Sequence, residues 1–233
     1  MQGSENQGVM VEAEPEPIRI ELSRTAMLVV DMQNAFVKPG GYLDVAGRDL
    51  SRTEQIVEPC RKILQAARGK GIKILYFQMG CSADQSDMGP VDSPGVRKSK
   101  ALNWIRSRPE LRDQLYVYGT WGAEIIPELA PQDGDIVLRK QKYDAFIGTN
   151  LDIILRTLKI KYLLFTGTAT NICVDSTLRH AFFLDYFPVL VADAVSPLGP
   201  DLIQEAIILN VQSSFGWVTR SESLLKVLHP IND

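Results

Sequence analysis

Along this chain, short apolar runs bounded by turn residues alternate with stretches whose apolar positions recur at helical spacing. Ala26 to Val30 and Ile72 to Phe77 are two such runs, and their continuous apolarity predicts strands buried on both faces of a parallel sheet. Between them Ile56, Cys60, Ile63, Leu64 and Ala67 mark one face of a helix. Ser51 with Glu54 offers a capping box at its start, and Pro59 implies a kink or a later beginning. Further strands are expected at Ile136 to Leu138, Tyr162 to Thr166 and Val189 to Ala192. Helices fill the gaps at Leu151 to Leu158, Ile172 to Leu184, Leu202 to Asn210 and Ser221 to Leu228. Strands alternating with helices around one core predict a three-layer α/β/α sandwich with a mostly parallel central sheet and right-handed crossovers. In such a Rossmann-like fold ligands sit beyond the carboxyl ends of the strands, so the residues that follow each strand matter most.

Two stretches break this rhythm. Residues 1–17 (MQGSENQGVMVEAEPEP) are rich in Glu, Gln, Gly and Pro, and read as a mobile tail ahead of a single domain over 18–233. Residues 79–99 are rich in Gly, Pro, Ser and Asp and exceed an ordinary connection, which fits either a cover over a substrate or a solvated excursion. The tail has neither the basic start nor the apolar core of a signal peptide, and no apolar run is long enough to cross a bilayer.

Composition narrows the partners. A hydrophobic content of 45% with a net charge of -3 supports a sizeable core and offers no basic field for nucleic acid, leaving small molecules as the expected ligands. Cys60, Cys81 and Cys173 are odd in number and widely spaced, so neither a disulfide framework nor a zinc site is expected, and a reducing, cytoplasmic setting fits best.

Three of the strand ends carry chemistry. Cys173, in LLFTGTATNICVDSTLRHAFF, follows an apolar strand and a Gly/Thr turn and falls in the opening turn of a helix, a position that lowers a thiol pKa. A small core hydrophobe is the alternative reading of the same position. Asp31 ends the run TAMLVVD, where a carboxylate needs either a buried partner or a turn to cap. Lys140 follows Ile136, Val137 and Leu138, and solvated competitors Arg139 and Lys142 flank it. Acid, amine and thiol at three strand ends would converge on one crevice, giving nucleophile, base and orienter without histidine. His180 and His229 lie far into a helix and near the C-terminus, so neither is placed as a general base, and no His/Asp cluster suggests a metal.

On VVDMQNAF, GGYLD, the lysine of VLRKQKY and TGTATNICVDSTLR, the chain from about Ser23 to Leu228 resembles the isochorismatase-like cysteine hydrolases. GDIVL, SPGVRKSKAL, ATNICVDSTLR, FFLDYF and FGWV are similar to its ureidoacrylate amidohydrolase branch. The resemblance implies a triad with Asp31 as proton shuttle, Lys140 as electrostatic partner and Cys173 as nucleophile. It further implies a cis peptide between Thr168 and Ala169, an oxyanion hole from the backbone amides of Ala169 and Cys173, a thioester or carbamoyl thioester intermediate, no cofactor, and a homo-oligomer. Gln33, Asn34, Phe36, Trp121, Tyr143 and Gln212 fall beside the matched motifs and are expected around the pocket, with ordinary packing as the competing role. Thr170 and Asn171 are expected to shape the nucleophile's turn.

Two departures bear on substrate. The metal-binding histidines of nicotinamidases have no counterparts around Asp31, and Gln212 stands where the ureidoacrylate branch is expected to carry an acid. Biuret, an N-carbamoyl amino acid or a simple amide are therefore alternative substrates. A redox-sensing or binding module is the alternative from a different class, although it would not require the retained Asp and Lys.

Overall fold

A computed structural model describes residues 8–228. Its elements in chain order are β1 (Val9–Val11), β2 (Ile18–Ile20), β3 (Thr25–Val30), α1 (Asn34–Val37), α2 (Tyr42–Val45), α3 (Ser51–Gln55), α4 (Val57–Gly69) and β4 (Lys73–Met79). Then follow α5 (Pro94–Lys98), α6 (Lys100–Ser107), β5 (Ile136–Lys140), α7 (Leu151–Thr157), β6 (Tyr162–Thr168), α8 (Asp175–Phe183), β7 (Phe187–Ser196), α9 (Asp201–Asn210), β8 (Trp217–Thr219) and α10 (Ser221–Leu228). The central sheet has the order β5-β4-β3-β6-β7-β8, and every pairing within it is parallel.

The predicted strands lie where the apolar runs are, for the reason the pattern suggested. In β3 every residue is buried, Met27 and Val29 on one face of the sheet and Ala26, Leu28 and Val30 on the other. Each face seals against helices. The first cluster includes Cys60, Ile63 and Leu64 of α4, and the second includes Leu151 and Leu155 of α7 and Leu178 and Ala181 of α8. Burial on both faces is what keeps a parallel sheet continuous.

Several expectations need correction. Of the segment expected to be a tail, residues 8–17 are ordered: β1 pairs antiparallel with β2, and Glu14 exchanges two backbone hydrogen bonds with Val218 at 2.8 and 2.9 Å. This pairing covers the β8 edge of the sheet, an edge that would otherwise present open donors and acceptors. The remainder of that segment, 1–7, and His229 lie outside the described residues.

The capping box is absent too. Leu50 occupies the N-cap of α3, and Ser51 donates its backbone N–H and its hydroxyl to the Asp49 carboxylate at 2.9 and 3.0 Å. Asp49 thus takes the capping role from the residue just before the N-cap. The helical run does break, however, and restarts at Val57, which places Pro59 in the first turn of α4 where a missing N–H costs nothing.

The 79–99 stretch is neither of the pure alternatives. Met88 and Val96 are buried in a third apolar cluster with Cys81, Leu102, Ile105 and Tyr116, and this packed flap stands beside the carboxyl ends of β3 and β4. Among the described residues no helix is long and apolar enough to cross a membrane.

Candidate active site

The strand order sets the site. From β3 the chain builds outward through β4 to β5, then crosses back to lay β6 on the other side of β3. That reversal leaves a crevice beyond the ends of β3 and β6, where open α/β sheets bind ligands. Asp31 leaves β3 at this point with φ 50°, a left-handed conformation rare outside Gly, Asn and Asp. Beside it Gly167 of β6, at φ 106°, lets the two backbones approach so closely that a Cβ would sit 2.1 Å from the Val30 carbonyl oxygen. The peptide between Thr168 and Ala169 is cis, and the chain then winds through a wide turn, Thr170–Val174, that carries Cys173 into α8.

Lys140 begins two strands away, at the end of β5, and its side chain passes over the tip of β4. Its Nζ donates to Asp31 Oδ2 at 2.8 Å and to the carbonyls of Lys142 and Tyr143 at 3.2 and 3.3 Å, with Met79 Sδ at 3.7 Å. The ammonium is completely buried, so these partners replace its lost hydration. Asp31 Oδ1, by contrast, is buried with no hydrogen-bond partner among the described residues. The Cys173 thiol interacts with both Asp31 and Lys140.

The electrostatics differ from the expectation of a resting thiolate. Burial pushes the Cys173 thiol up, Lys140 pulls it down, and the Asp31 charge pushes it up again, with a net rise. Burial likewise raises Asp31 above the ordinary carboxylate range, against the pull of Lys140. For Lys140 burial acts downward, but the fields of Asp31 and Cys173 more than offset it and keep the ammonium protonated. The helix start is outweighed by desolvation because Cys173 is only 7% exposed. The resting state is thiol, with a carboxyl group beside it.

These groups open onto a cavity of about 290 Å³ lined by Asp31, Phe36, Met79, Tyr143, Ala169 and Cys173. Tyr42, Arg48, Lys98, Lys100 and Tyr116 complete its outer wall. Of the residues expected around the pocket, Phe36 and Tyr143 line this cavity. Four others do not. Gln33 is fully buried behind the site, donating to the carbonyls of Met79 and Ala123 at 2.8 and 2.9 Å and accepting from Met79 N at 2.8 Å, so no polar atom remains for a ligand. Asn34 donates to the Trp121 carbonyl at 2.8 Å, and this bond ties α1 to the Trp121 turn without either side chain lining the cavity. Gln212 lines a separate cavity among Glu12, Glu14, Glu16 and Arg220, on the side of β8. Asn171 shapes the turn as expected, exchanging hydrogen bonds with Leu198 at 2.9 and 3.3 Å.

One structural residue escaped the sequence pattern. Thr177, fully buried on α8, donates its hydroxyl to the Cys173 carbonyl at 2.7 Å and accepts from Ala145 N at 3.0 Å. It couples the thiol's turn to the segment whose carbonyls hold Lys140. Its place one turn after Cys173 was the only available signal. Among the described residues no group of three or more His, Cys, Asp or Glu is placed to hold a metal ion.

Fold and site together define a parallel-sheet α/β protein with thiol, acid and amine gathered beyond the carboxyl ends of its strands. The isochorismatase domain model matches residues 25–223. The chain belongs to the isochorismatase family. It is 47% identical over 213 residues to ureidoacrylate amidohydrolase RutB of Rhizobium rhizogenes, covering 91% of this chain and 87% of that protein. With the protein of the same name from Agrobacterium fabrum the identity is 46%, over 95% and 98% of the two chains. Among solved structures, a cysteine hydrolase from Pseudomonas syringae superposes with a TM-score of 0.74 at 28% identity, over 90% and 94% of the chains. N-carbamoylsarcosine amidase from Thermoplasma acidophilum does so with a TM-score of 0.64 at 26% identity, over 85% and 97%.

Proposed function

We propose that this protein is a cysteine amidohydrolase of a small ureido compound, with ureidoacrylate as the first candidate, and that Asp31, Lys140 and Cys173 carry the reaction. The reaction class, hydrolysis of carbon-nitrogen bonds other than peptide bonds, follows from membership of the family and the similarity to the ureidoacrylate amidohydrolases. The observation that carries the assignment of residues is the Asp31 carboxyl, held by Lys140 through one oxygen and left unpartnered at the other beside a buried thiol.

In this mechanism Asp31 Oδ1 takes the thiol proton as Cys173 Sγ bonds to the ureido carbonyl carbon. Lys140 stabilises the carboxylate before attack and the thiolate character that develops during it. The backbone amides of Ala169 and Cys173 would receive the negative charge of the tetrahedral oxygen. Asp31 then returns the proton to the departing nitrogen, leaving an acyl or carbamoyl thioester. Water, deprotonated by Asp31, attacks that carbon, and Cys173 leaves and recovers its proton. A resting thiol suits this cycle, since the proton to be delivered to nitrogen is stored in the site. It suits a redox sensor poorly, because oxidants react with thiolate.

The test is a panel of ureidoacrylate, biuret, N-carbamoyl amino acids and simple amides scored by ammonia release, with intact mass after rapid quench. Turnover of a ureido substrate with a covalent mass on Cys173 is the expected result. Near-normal turnover by Cys173→Ser would sink the assignment. Self-association belongs to the same proposal. Leu202 and Leu209 on α9 and Phe183 on α8 are 71, 64 and 68% exposed, an apolar surface suited to a second copy. Three free cysteines fit a reducing compartment such as the cytoplasm.

A further inference from the structure

The cavity has a burial gradient and a charge gradient that run together. At its floor Asp31 is 2% and Cys173 7% exposed, and the Asp31 charge is matched by Lys140. At its mouth Arg48, Lys98 and Lys100 are exposed and carry three positive charges. No carboxylate other than Asp31 lines the cavity. Among the described residues neither Arg48 nor Lys98 forms an ion pair, whereas eleven pairs engage Lys and Arg side chains away from the cavity. Lys100 lies over the Trp104 ring at 4.4 Å, which keeps its charge beside the opening. All this stands on a chain whose net charge is -3, so the positive mouth runs against the sign of the whole molecule.

We propose that Arg48 and Lys98, backed by Lys100, form an anion-reading rim, and that the substrate carries a carboxylate at the end remote from the carbonyl that Cys173 attacks. The three cations come from two separate segments, the loop after α2 and the α5–α6 junction, on the outer wall of one cavity. A carboxylate leaving water at that opening meets positive charge from both segments, and a guanidinium can hold it through two hydrogen bonds. Rim and thiol line the same cavity of about 290 Å³, so one small molecule can face both. The rim thus selects a ureido acid over a neutral compound such as biuret. The substrate side of this statement rests on the amidohydrolase reading, but the rim itself does not.

Alkylation of Cys173 tests the rim without any turnover. Iodoacetate and iodoacetamide both form the sulfur-carbon bond with loss of iodide, and differ chiefly in the carboxylate. Rates at Cys173 are read by peptide mass spectrometry, which separates it from the buried Cys60 and Cys81. In Arg48→Gln/Lys98→Gln the ratio of iodoacetate to iodoacetamide rates should fall about tenfold at low salt, the lower end of the range for electrostatic focusing, and the drop should shrink as the salt is raised. Lys73→Gln removes a charge from the opposite end of β4 and should leave the ratio unchanged. An unchanged ratio in the double variant, or an equal change in Lys73→Gln, overturns the rim. If the ratio falls but the wild-type protein turns over no ureido acid, the rim stands and the amidohydrolase reading falls.

Discussion

The molecule buries a thiol on each side of its central sheet, and the two have different surroundings. Cys60, on α4, sits in the first core cluster, donates weakly to the Ala194 carbonyl at 3.4 Å, and is driven by burial to a pKa of about 12. Cys173, in the second cluster, is also raised by burial, yet it faces an ammonium ion and a carboxylate. Burial alone makes a thiol inert. What distinguishes the second is a neighbouring carboxyl group with one buried oxygen that has no hydrogen-bond partner, and an ammonium ion that pulls that carboxyl down against the rise burial causes.

The sharpest break of this comparison is to remove each sulfur in turn. Cys173→Ser should lower kcat by about 10⁶-fold, as when a hydrolase loses its nucleophile. Cys60→Ala should keep kcat within about twofold and cost about 1 kcal/mol on urea unfolding. Comparable activity losses from the two would erase the distinction.

Next in size is the pair that sets the thiols apart. Lys140→Ala should cost about 10³-fold in kcat and also destabilise the fold by about 3 to 5 kcal/mol, because it strands the Asp31 carboxylate in a dry site. Asp31→Asn should lose similar activity with a smaller stability change, and calorimetry would separate the two. A Lys140→Ala protein of wild-type stability would show that the ion pair is not buried as described.

Thr177 gives a milder test. Thr177→Val removes the hydroxyl between Cys173 and the Lys140-holding segment, and should lower kcat about tenfold with KM within about twofold, since a single net hydrogen bond and its geometry are lost. Thr177→Ser should restore it. A purely structural role would instead lower the melting temperature and leave kcat intact in the folded fraction.

The pH profile probes the same pair. Below its pKa Asp31 holds a proton and cannot accept another from the thiol, so kcat/KM falls as pH drops through that value. Since burial raises Asp31, the acid limb should lie above the ordinary carboxylate value of 3.8. The raised pKa has a second consequence of fixed sign: the Asp31 contribution to stability is fully present below the unfolded pKa and is lost as pH rises through the folded one. An acid limb at or below 3.8 would contradict the burial. The smallest effect is expected at Gln212, where Gln212→Glu should leave KM within twofold because that side chain lines another cavity.

The apolar runs determined the layers of this protein, and Asp31, Lys140 and Cys173 were readable because each stands just after such a run. Period and burial are local properties, set by how a strand or helix meets the core, so a linear pattern can carry them. Three-residue strands such as β1 and β8 have too few positions to show a period, and the Glu14 pairing that fixes the first of the described residues is a contact across some two hundred positions. Pocket membership was decided only in three dimensions. Gln33 and Phe36 lie three residues apart, yet one spends its amide on backbone behind the site and the other faces the cavity. The thiol's protonation state was likewise out of reach of the sequence, since desolvation depends on everything that surrounds the sulfur and outweighs the helix start that the motif revealed.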